Sequence, residues 1–388
     1  MPGGVLEVLP LARARDLRAF LRVPQYIHGD DPAWITPLHL ERRLHMSARN
    51  PYFRHAEWQG WLAVRDGRPV GRISAQVDRL HRQHHGEDTG HFGFLDGVDD
   101  PQVFAALLQA AESWLAARGT RRVTGPFSFS INQECGVLVE GFEHPPVVMM
   151  PHNGAWYDRH LEDRGYEGAV DLLAYWIHTD FVHPRAMEAV LRRFSRRVRV
   201  RTLRRREFKM ELATLRELFN DAWADNWGFV PFTEAEFDDL GQTLKLLLPD
   251  DLIQIAELDG EPAAFVVAMP DLNHAIRDLN GRLLPLGWAR LLWRLGGNRP
   301  RQGRVPLMGV RREHQHGPLG AALAMGVIAA VQAALVRRGI RGVELSWILE
   351  HNTGVRTILE SFGGRIYKRY RLYQRHLPGP GPGGPVTA

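Results

Sequence analysis

The sequence predicts a mixed α/β fold, built on an α+β mixed sheet, in which one structural unit occurs twice in tandem. Three local patterns appear in the same order in the two halves of this chain of 388 residues. They are a hairpin with an Asp-Gly turn, a helix that stops at a glycine before a strand, and a Leu-Glu run that closes a last helix. Because a shared order of such patterns indicates an internal repeat, we expect two domains of similar architecture.

The hairpins come first in each half. Residues 61–75 and 255–267 each place an Asp-Gly pair between two β-prone runs, which is a strong short-range signal of a hairpin. The helices follow at 104–118 and 325–338, and each continues as a strand after a glycine that ends it. The closing glycines are Gly119 and Gly339.

The third pattern is Leu-Glu-x-x-Gly, which ends a last helix at Gly165 in the first half and at Gly363 in the second. A final hairpin is expected after each of these glycines. The unequal spacing of the three patterns puts an insertion in each half, within 126–150 and at 280–304. Connections of this kind are where functional residues concentrate.

The domain boundaries follow from this repeat. We expect a first domain at 1–180, a second at 181–376, and a flexible tail at 377–388 whose Pro-Gly run has no core-forming residues. The single cysteine, Cys135, excludes an internal disulfide, and no secretory pattern is visible. We therefore expect a cytoplasmic protein, with peripheral contact at the inner face of the membrane left open. The apolar run at 319–336 is interpreted as a buried helix.

The positive net charge indicates which classes of partner the protein could bind. A net charge of +5 and a pI near 9.6 suit either a nucleic acid or a small molecule that carries phosphate. No nucleic-acid-binding motif is present, so no nucleic acid partner is expected. No metal is expected either, because no spaced thiol or carboxylate completes the histidine set. That set is His81, His84, His85 and His91.

A turn in the second half has features of a phosphate site. Residues 305–323 read Val-Pro-Leu-Met-Gly-Val-Arg-Arg-Glu-His-Gln-His-Gly-Pro-Leu-Gly-Ala-Ala-Leu, which predicts a strand, a turn and the start of a helix. Backbone N–H groups at a helix N-terminus attract anionic phosphates without a dedicated lysine. Pro318 removes one of these donors, because proline has no amide hydrogen.

This turn, with the strand and Asn-started helix at 342–356, resembles the pyrophosphate site of the GNAT (Gcn5-related N-acetyltransferase) acyltransferases. Gln315, Pro318 and Gly320 stand at the marked positions of the family motif Arg/Gln-x-x-Gly-x-Gly/Ala, and Pro318 departs from the usual glycine. The resemblance covers nearly the whole chain as a tandem pair and implies acetyl-CoA or a longer acyl-CoA as co-substrate. The implied cofactor-binding residues are Gly309, Val310, Arg311, Gln315, His316, Gly317, Pro318, Leu319, Gly320, Ala321 and Asn352.

The resemblance also implies a mechanism. The thioester arm would lie between two splayed strands, where the amide of Val310 or Arg311 polarises its carbonyl. Many family members use a tyrosine to protonate the leaving thiolate, but Leu359 stands at that position here. A base must take the amine proton, and polar residues near the expected mouth are Glu313, His314, His316, Glu350 and His351. The catalytic candidates are Glu313, Glu350 and His351.

The first half has no pyrophosphate turn. Asp96, Asp99 and Asp100 stand where phosphates would lie and would repel CoA, and Asp99 or Asp100 is expected to cap the next helix. We therefore expect a degenerate GNAT-like domain that shapes the site of a small-molecule acceptor. The expected substrate residues, drawn from the first-half insertion and from the turn after residue 220, are Asn132, Glu134, His152, Asn153, Tyr157, Trp223, Asn226, Trp227 and Phe229.

The insertion at 281–297 is apolar, contains two tryptophans and carries arginines, a composition that suits an interfacial helix, a lid or a helix packed on the sheet. With the Asn-Trp-Gly-Phe-Val-Pro run at 226–231 and the closing residues 368–373, the chain is similar to the tandem GNAT group that includes the bacterial ceramide synthases, which implies a lipid amine as acceptor. Two alternatives stay open: a non-catalytic CoA- or lipid-binding module, and a Fem-like aminoacyl transferase that uses tRNA. The oligomeric state is not determined.

Overall fold

The computed structural model describes residues 4–86, 88–296 and 300–378, which form two compact units. Each unit is a mixed α/β structure, as predicted. Unit 1 comprises the described residues up to Asp171 together with those from Tyr370 onward, and unit 2 comprises Leu172–Arg369. The chain thus returns to unit 1 at its end, whereas the expected domain ranges are continuous. The predicted tail lies outside the described residues from 379 onward.

Strands and helices follow one another along the chain in the order that the repeat predicts, apart from the final hairpins. The strands are β1 (Leu6–Pro10), β2 (Ala56–Arg65), β3 (Arg68–Asp78), β4 (Thr89–Gly97), β5 (Arg122–Gly125), β6 (Val137–Glu140), β7 (Glu167–His178), β8 (Val198–Thr202), β9 (Ile253–Leu258), β10 (Glu261–Pro270), β11 (Gln302–Val310), β12 (Gly342–Leu349) and β13 (Arg365–His376). The helices are α1 (Ala14–His28), α2 (His39–His45), α3 (Arg79–His85), α4 (Pro101–Ala116), α5 (Tyr157–Glu162), α6 (Arg185–Phe194), α7 (Phe208–Ala222), α8 (Glu234–Leu247), α9 (Leu272–Ile276), α10 (Gly287–Gly296), α11 (Pro318–Arg337) and α12 (Thr353–Ser361).

The sheet of unit 1 has the strand order β1-β2-β3-β4-β5, followed by the last residues of β13. The first three neighbouring pairs are antiparallel, and β4 and β5 are parallel. The end of β13 is antiparallel to β5, with Tyr373 opposite Gly125. The last strand of this sheet therefore comes from the end of the chain.

The sheet of unit 2 repeats this arrangement. Its order is β8-β9-β10-β11-β12, followed by the part of β7 that belongs to this unit. The pairs β8-β9, β9-β10 and β10-β11 are antiparallel, β11 and β12 are parallel, and β7 is antiparallel to β12. The internal repeat predicted from the sequence is therefore present, and β11, α11 and β12 of unit 2 correspond to β4, α4 and β5 of unit 1.

The local signals of the repeat form the expected structures. Asp66 and Asp259 have φ values of 50° and 52°, and the glycine after each also has positive φ, as a tight hairpin turn requires. The two long helices end identically: the amide of Thr120 donates to Leu115 O at 3.2 Å, and the amide of Ile340 donates to Leu335 O at 3.1 Å. These turns and helix ends were predictable because they depend on adjacent residues.

The predicted final hairpins are wrong. Each Leu-Glu-x-x-Gly run is followed by one long strand, β7 after Gly165 and β13 after Gly363. Neither segment contains an Asp-Gly or Asn-Gly pair, so the chain has no turn at which to reverse. Each strand instead begins in one unit and ends in the other unit's sheet.

Each unit has its own apolar core. Phe92, Phe104 and Leu107 are buried beneath the sheet of unit 1, where α4 packs. Leu323 and Val327 of α11 are buried in the core of unit 2. Among the described residues α11 alone has the length and apolarity of a membrane span, and 56% of its most apolar window is buried, as in a core helix.

Candidate functional site

The parallel strands β11 and β12 diverge in the middle of unit 2. They pair only from Gln302 opposite Gly342 to Val305 opposite Leu345. Beyond this point β11 continues beside β10, and β12 continues beside β7. Pro306 is the first β11 residue past the last pair, and it has no amide hydrogen to offer β12. A gap therefore opens between the carboxyl-terminal halves of the two strands.

The amide of Val310 faces this gap. In the antiparallel pair of β10 and β11, the amide of Arg311 donates to Ala263 O at 2.8 Å, and Val310 lies opposite Ala264. Because hydrogen bonds alternate along an antiparallel pair, the Val310 N–H faces away from β10. Of the two amides predicted to polarise a thioester, that of Arg311 is engaged in the sheet and that of Val310 is directed to the gap.

The helix α11 begins directly after β11 and a short turn. Gly317 precedes its first residue, Pro318, and has φ 90° and ψ −176°, a conformation that side chains disfavour. Gly320 packs on the turn so closely that a β-carbon there would overlap the carbonyl oxygen of His314. The two glycines therefore bring the backbone of the turn against the helix start.

The turn is clamped by the end of α7. The side-chain amide of Gln315 donates to Ala222 O and Val310 O, both at 3.0 Å. The amide of Arg312 donates to Asp221 Oδ2 at 2.8 Å. Gln315 is thus placed beside the predicted phosphate site, with its donors directed at backbone carbonyls.

The other predicted cofactor residues lie around the start of α11. His316, Gly317, Pro318 and Ala321 are exposed, whereas Leu319 packs against the core of unit 2. The first N–H groups of a helix have no partner within it, and aligned peptide dipoles make this end electropositive. Gly309 lies on β11, where a β-carbon would come within 2.7 Å of Ala222 Cβ, so it permits close approach of α7.

The segment after β12 caps the next helix, as predicted for Asn352. Its Oδ1 accepts a hydrogen bond from the amide of Val355 at 3.2 Å. Leu359 of this helix is 5% exposed and packs against Leu173 and Tyr175. The position expected to hold a catalytic tyrosine is therefore part of the core.

The three predicted catalytic residues follow the two diverging strands. Glu313 lies just after β11, is exposed, and is 3.5 Å from His314 Nε2. Glu350 and His351 directly follow β12 and are exposed. Because the carboxyl ends of parallel strands meet at one edge of a sheet, these residues lie at the open end of the gap.

A buried polar cluster at the root of the gap was not predicted. Arg304 is 1% exposed, and its Nε donates to Ser346 Oγ at 3.0 Å. Ser346 Oγ donates to Glu344 Oε1 at 2.5 Å, and the Tyr367 hydroxyl donates to the other oxygen of Glu344. The guanidinium also lies 5.0 Å from the ring centre of Trp347. The sequence signal for this cluster was the presence of charged residues inside otherwise apolar strands. The cluster holds the backbone in place where β12 separates from β11.

The predicted acceptor residues of unit 2 lie on the turn after α7. Trp223 Nε1 donates to Met308 O at 3.0 Å, so this side chain is placed against β11. Asn226 and Trp227 are half-buried. Phe229 is 3% exposed and packs near Phe219, with ring centres 6.1 Å apart, which makes it a core residue.

The predicted acceptor residues of unit 1 are mostly bonded within that unit. Asn153 Oδ1 accepts from the amide of Leu138 at 2.7 Å, and its Nδ2 donates to Leu138 O. The other predicted acceptor residues of unit 1 also contact residues of unit 1, and these contacts hold the insertion and α5 in place. Glu134 is paired with Arg42, His152 Nε2 lies 2.8 Å from Asp31, Tyr157 OH bonds the amide of Gly97 at 3.0 Å, and Asn132 is half-buried.

Unit 1 holds carboxylates at the start of its long helix, as expected for a degenerate half. Asp100 caps α4, its Oδ1 accepting from the amide of Gln102 at 2.8 Å. Asp96 is buried, which by itself would raise its pKa, but Arg72 at 2.7 Å and His28 hold that pKa below its usual value. These negative charges are unsuited to phosphate. Among the described residues, no cluster of three or more potential ligands could hold a metal ion.

Comparisons with known proteins agree with this architecture. No family model matches the sequence. The chain is 51% identical over 363 residues to Protein YghO of Escherichia coli, with 93% of each chain covered. It is 43% identical over 375 residues to a protein named bacterial ceramide synthase from Caulobacter vibrioides, covering 96% of this chain and 98% of that one.

The similarity in structure extends to a solved tandem GNAT protein. That protein comes from the clavulanic acid biosynthesis pathway and superposes with a TM-score of 0.54 at 14% identity. The superposition covers 96% of this chain and 98% of the other. At this identity the similarity shows the fold alone.

Proposed function

The chain belongs to the tandem GNAT family, in the group that includes a bacterial ceramide synthase, and we propose that it is an N-acyltransferase. It moves an acyl group from an acyl-CoA thioester to the nitrogen of an amine. The observation that carries this proposal is the divergence of β11 and β12 beside the N-terminus of α11. A gap between strands next to an electropositive helix end suits a ligand with a diphosphate and a narrow thioester arm.

The diphosphate binds at the exposed start of α11. The amides of Leu319 and Gly320 lie in the first turn of this helix, and the exposed residues His316 and Gly317 border it. Pro318 offers no N–H, so fewer donors are available than in a turn with glycine there. The long helix dipole adds a favourable potential that does not depend on that donor.

The thioester carbonyl binds at the Val310 amide. When the acceptor amine attacks this carbonyl, negative charge develops on its oxygen, and a fixed N–H donor stabilises that charge. The C–N bond forms, the C–S bond breaks, and the products are an amide and the thiol of CoA. The amine loses one proton and the thiolate gains one, so the reaction balances without a further reactant.

Proton transfer is assigned to the open end of the gap. Glu313, Glu350 and His351 are the residues proposed to accept the amine proton there. Leu359 carries no acidic hydrogen and is buried, so the thiolate takes its proton from one of these groups or from water.

The acceptor is proposed to be a long-chain amine of the sphingoid type. Support comes from 43% identity to a protein named ceramide synthase over nearly the full length of both chains. Trp223 and Trp227, half-buried on the turn after α7, supply apolar surface beside β11 for the chain of such a substrate.

The test is turnover by the full chain. It is incubated with palmitoyl-CoA or acetyl-CoA and a long-chain 2-amino-1,3-diol, while released thiol is followed and the amide is identified by mass spectrometry. We expect thiol release that depends on the amine. Binding of CoA without thiol release would instead indicate a non-catalytic module. Two features favour that alternative: Pro318 has no N–H to donate, and Leu359 is buried. Binding of tRNA without CoA binding would indicate the Fem-like alternative.

A further inference from the structure

The insertion between β10 and β11 exposes an unusual amount of apolar side chain. We call the surface formed by Leu284, Leu286, Trp288, Leu292 and Trp293 the α10 face. Their exposed fractions are 78%, 64%, 51%, 62% and 66% in that order. Soluble surfaces seldom place so many large apolar residues together, and such a group usually indicates an interaction site.

The opposite side of α10 is fixed to unit 2. Arg294 forms two hydrogen bonds to the carboxylate of Asp278, at 2.5 and 2.8 Å, and a third to Ala275 O at 2.7 Å. The bond to Arg294 lowers the pKa of Asp278 to about 2, so this pair stays charged at all working pH values. The helix is thus attached by one side while its apolar face points to solvent.

The charges around the α10 face are positive. Arg282 and Arg290 are exposed, and within the part of the chain that the structure describes neither lies in ion-pair contact with a carboxylate, although the charge of Arg290 contributes to the lowered pKa of Asp278. The indole N–H of Trp288 donates to Pro285 O at 3.0 Å, so its polar group is satisfied without a partner molecule. Tryptophan and leucine flanked by arginine are the residues that settle at a membrane interface with anionic headgroups.

We propose that the α10 face docks the protein on the surface of an anionic lipid bilayer. Its apolar side chains enter the headgroup region, and Arg282 and Arg290 remain beside lipid phosphates. A second copy of the chain is a poorer occupant, because it would bring the same arginines together. The inference rests on the proposed function to this extent: long-chain amines and long-chain acyl-CoA partition into membranes, where a docked enzyme reaches them.

The test uses vesicles and the full chain without substrate. Binding to vesicles of phosphatidylglycerol and phosphatidylcholine is measured by co-sedimentation and by the blue shift of tryptophan emission. We expect binding to the anionic vesicles, weaker binding at high salt, and a loss of about tenfold or more in Leu292→Glu. Leu44→Glu is the matched control, because Leu44 is also 62% exposed but lies on α2 of unit 1.

Two results of the vesicle-binding assay would overturn the inference. One is that the unchanged protein does not bind anionic vesicles, and the other is that Leu292→Glu and Leu44→Glu reduce binding equally. Concentration-dependent dimerisation that Leu292→Glu abolishes, without vesicle binding, would assign the face to a second copy and also overturn it. Vesicle binding is measured without turnover, so its failure is distinguishable from a failure of acyl transfer from palmitoyl-CoA or acetyl-CoA to the long-chain amine.

Discussion

Gly320, at the start of α11, packs directly against the carbonyl oxygen of His314 in the preceding turn. This contact sets the distance between the turn and the helix end, and with it the shape of the proposed diphosphate site. Any side chain at residue 320 would push the turn away from the helix.

We therefore expect Gly320→Ala to weaken CoA binding by about tenfold or more, because the N–H groups of the turn and helix no longer converge. Isothermal titration with CoA measures the loss. Gly354→Ala is the control, since a β-carbon there meets nothing closer than Asn352 Oδ1 at 4.0 Å. Equal affinities for the two variants would contradict the assignment of the site.

The amide of Val310 can be removed without touching the β10 ladder, because it faces away from β10. We expect Val310→Pro to lower kcat by about 100- to 1000-fold with little change in KM for acyl-CoA, as for loss of one oxyanion donor. Val310→Ala keeps the N–H and is the comparison variant. Steady-state kinetics decide: if both variants have similar kcat, the amide has no such role.

Breaking the buried polar cluster of Arg304, Ser346, Glu344 and Tyr367 is expected to lower the stability of the protein. Arg304→Met leaves Glu344, which is fully buried, without its cation, and a loss of about 3–5 kcal/mol in the free energy of unfolding is expected. Urea denaturation at neutral pH measures it. Adding Glu344→Gln should recover part of this loss, since no charge then remains unpaired. A double variant no more stable than Arg304→Met would show that the charge of Glu344 is not the cause.

Stability should fall in mild acid because burial lowers the pKa of three histidines in unit 1, His45, His81 and His91, and the last two are shifted most. Burial is the largest cause that lowers the pKa of His81 to about 2 and that of His91 to about 3, from 6.5. Below pH 6.5 the unfolded chain takes up protons that the folded chain refuses, so unfolding becomes easier down to about pH 3. We expect about 1.4 kcal/mol per histidine to be lost between pH 7.5 and 5.5.

The measurement is urea unfolding at those two pH values. His91→Asn keeps a polar side chain near Thr124, whose hydroxyl lies 2.7 Å from His91 Nδ1, but has no proton to gain. Its stability should therefore depend less on pH than that of the unchanged protein. An unaltered pH dependence would mean that His91 is protonated in the folded state.

Part of the candidate site was predictable from short-range chemistry. The turn with Gly317 and Gly320, and the cap by Asn352, depend on residues within a few positions of each other, and each forms as expected. The roles of Gln315 and Arg311 depend on distant partners. Gln315 donates to Ala222 O across the fold, and the Arg311 amide donates to Ala263 O, which no motif indicates.

The sequence by itself determined the repeat, the Asp-Gly hairpins and the order of strands and helices, because propensity and turn chemistry act between near neighbours. Only the tertiary structure decided that β11 and β12 separate after Val305 and Leu345, and that Arg304 and Glu344 meet beneath the gap. It also decided that the last strand of each unit comes from the other half of the chain. Such pairings depend on burial and register between segments far apart in the chain, and no local pattern encodes them.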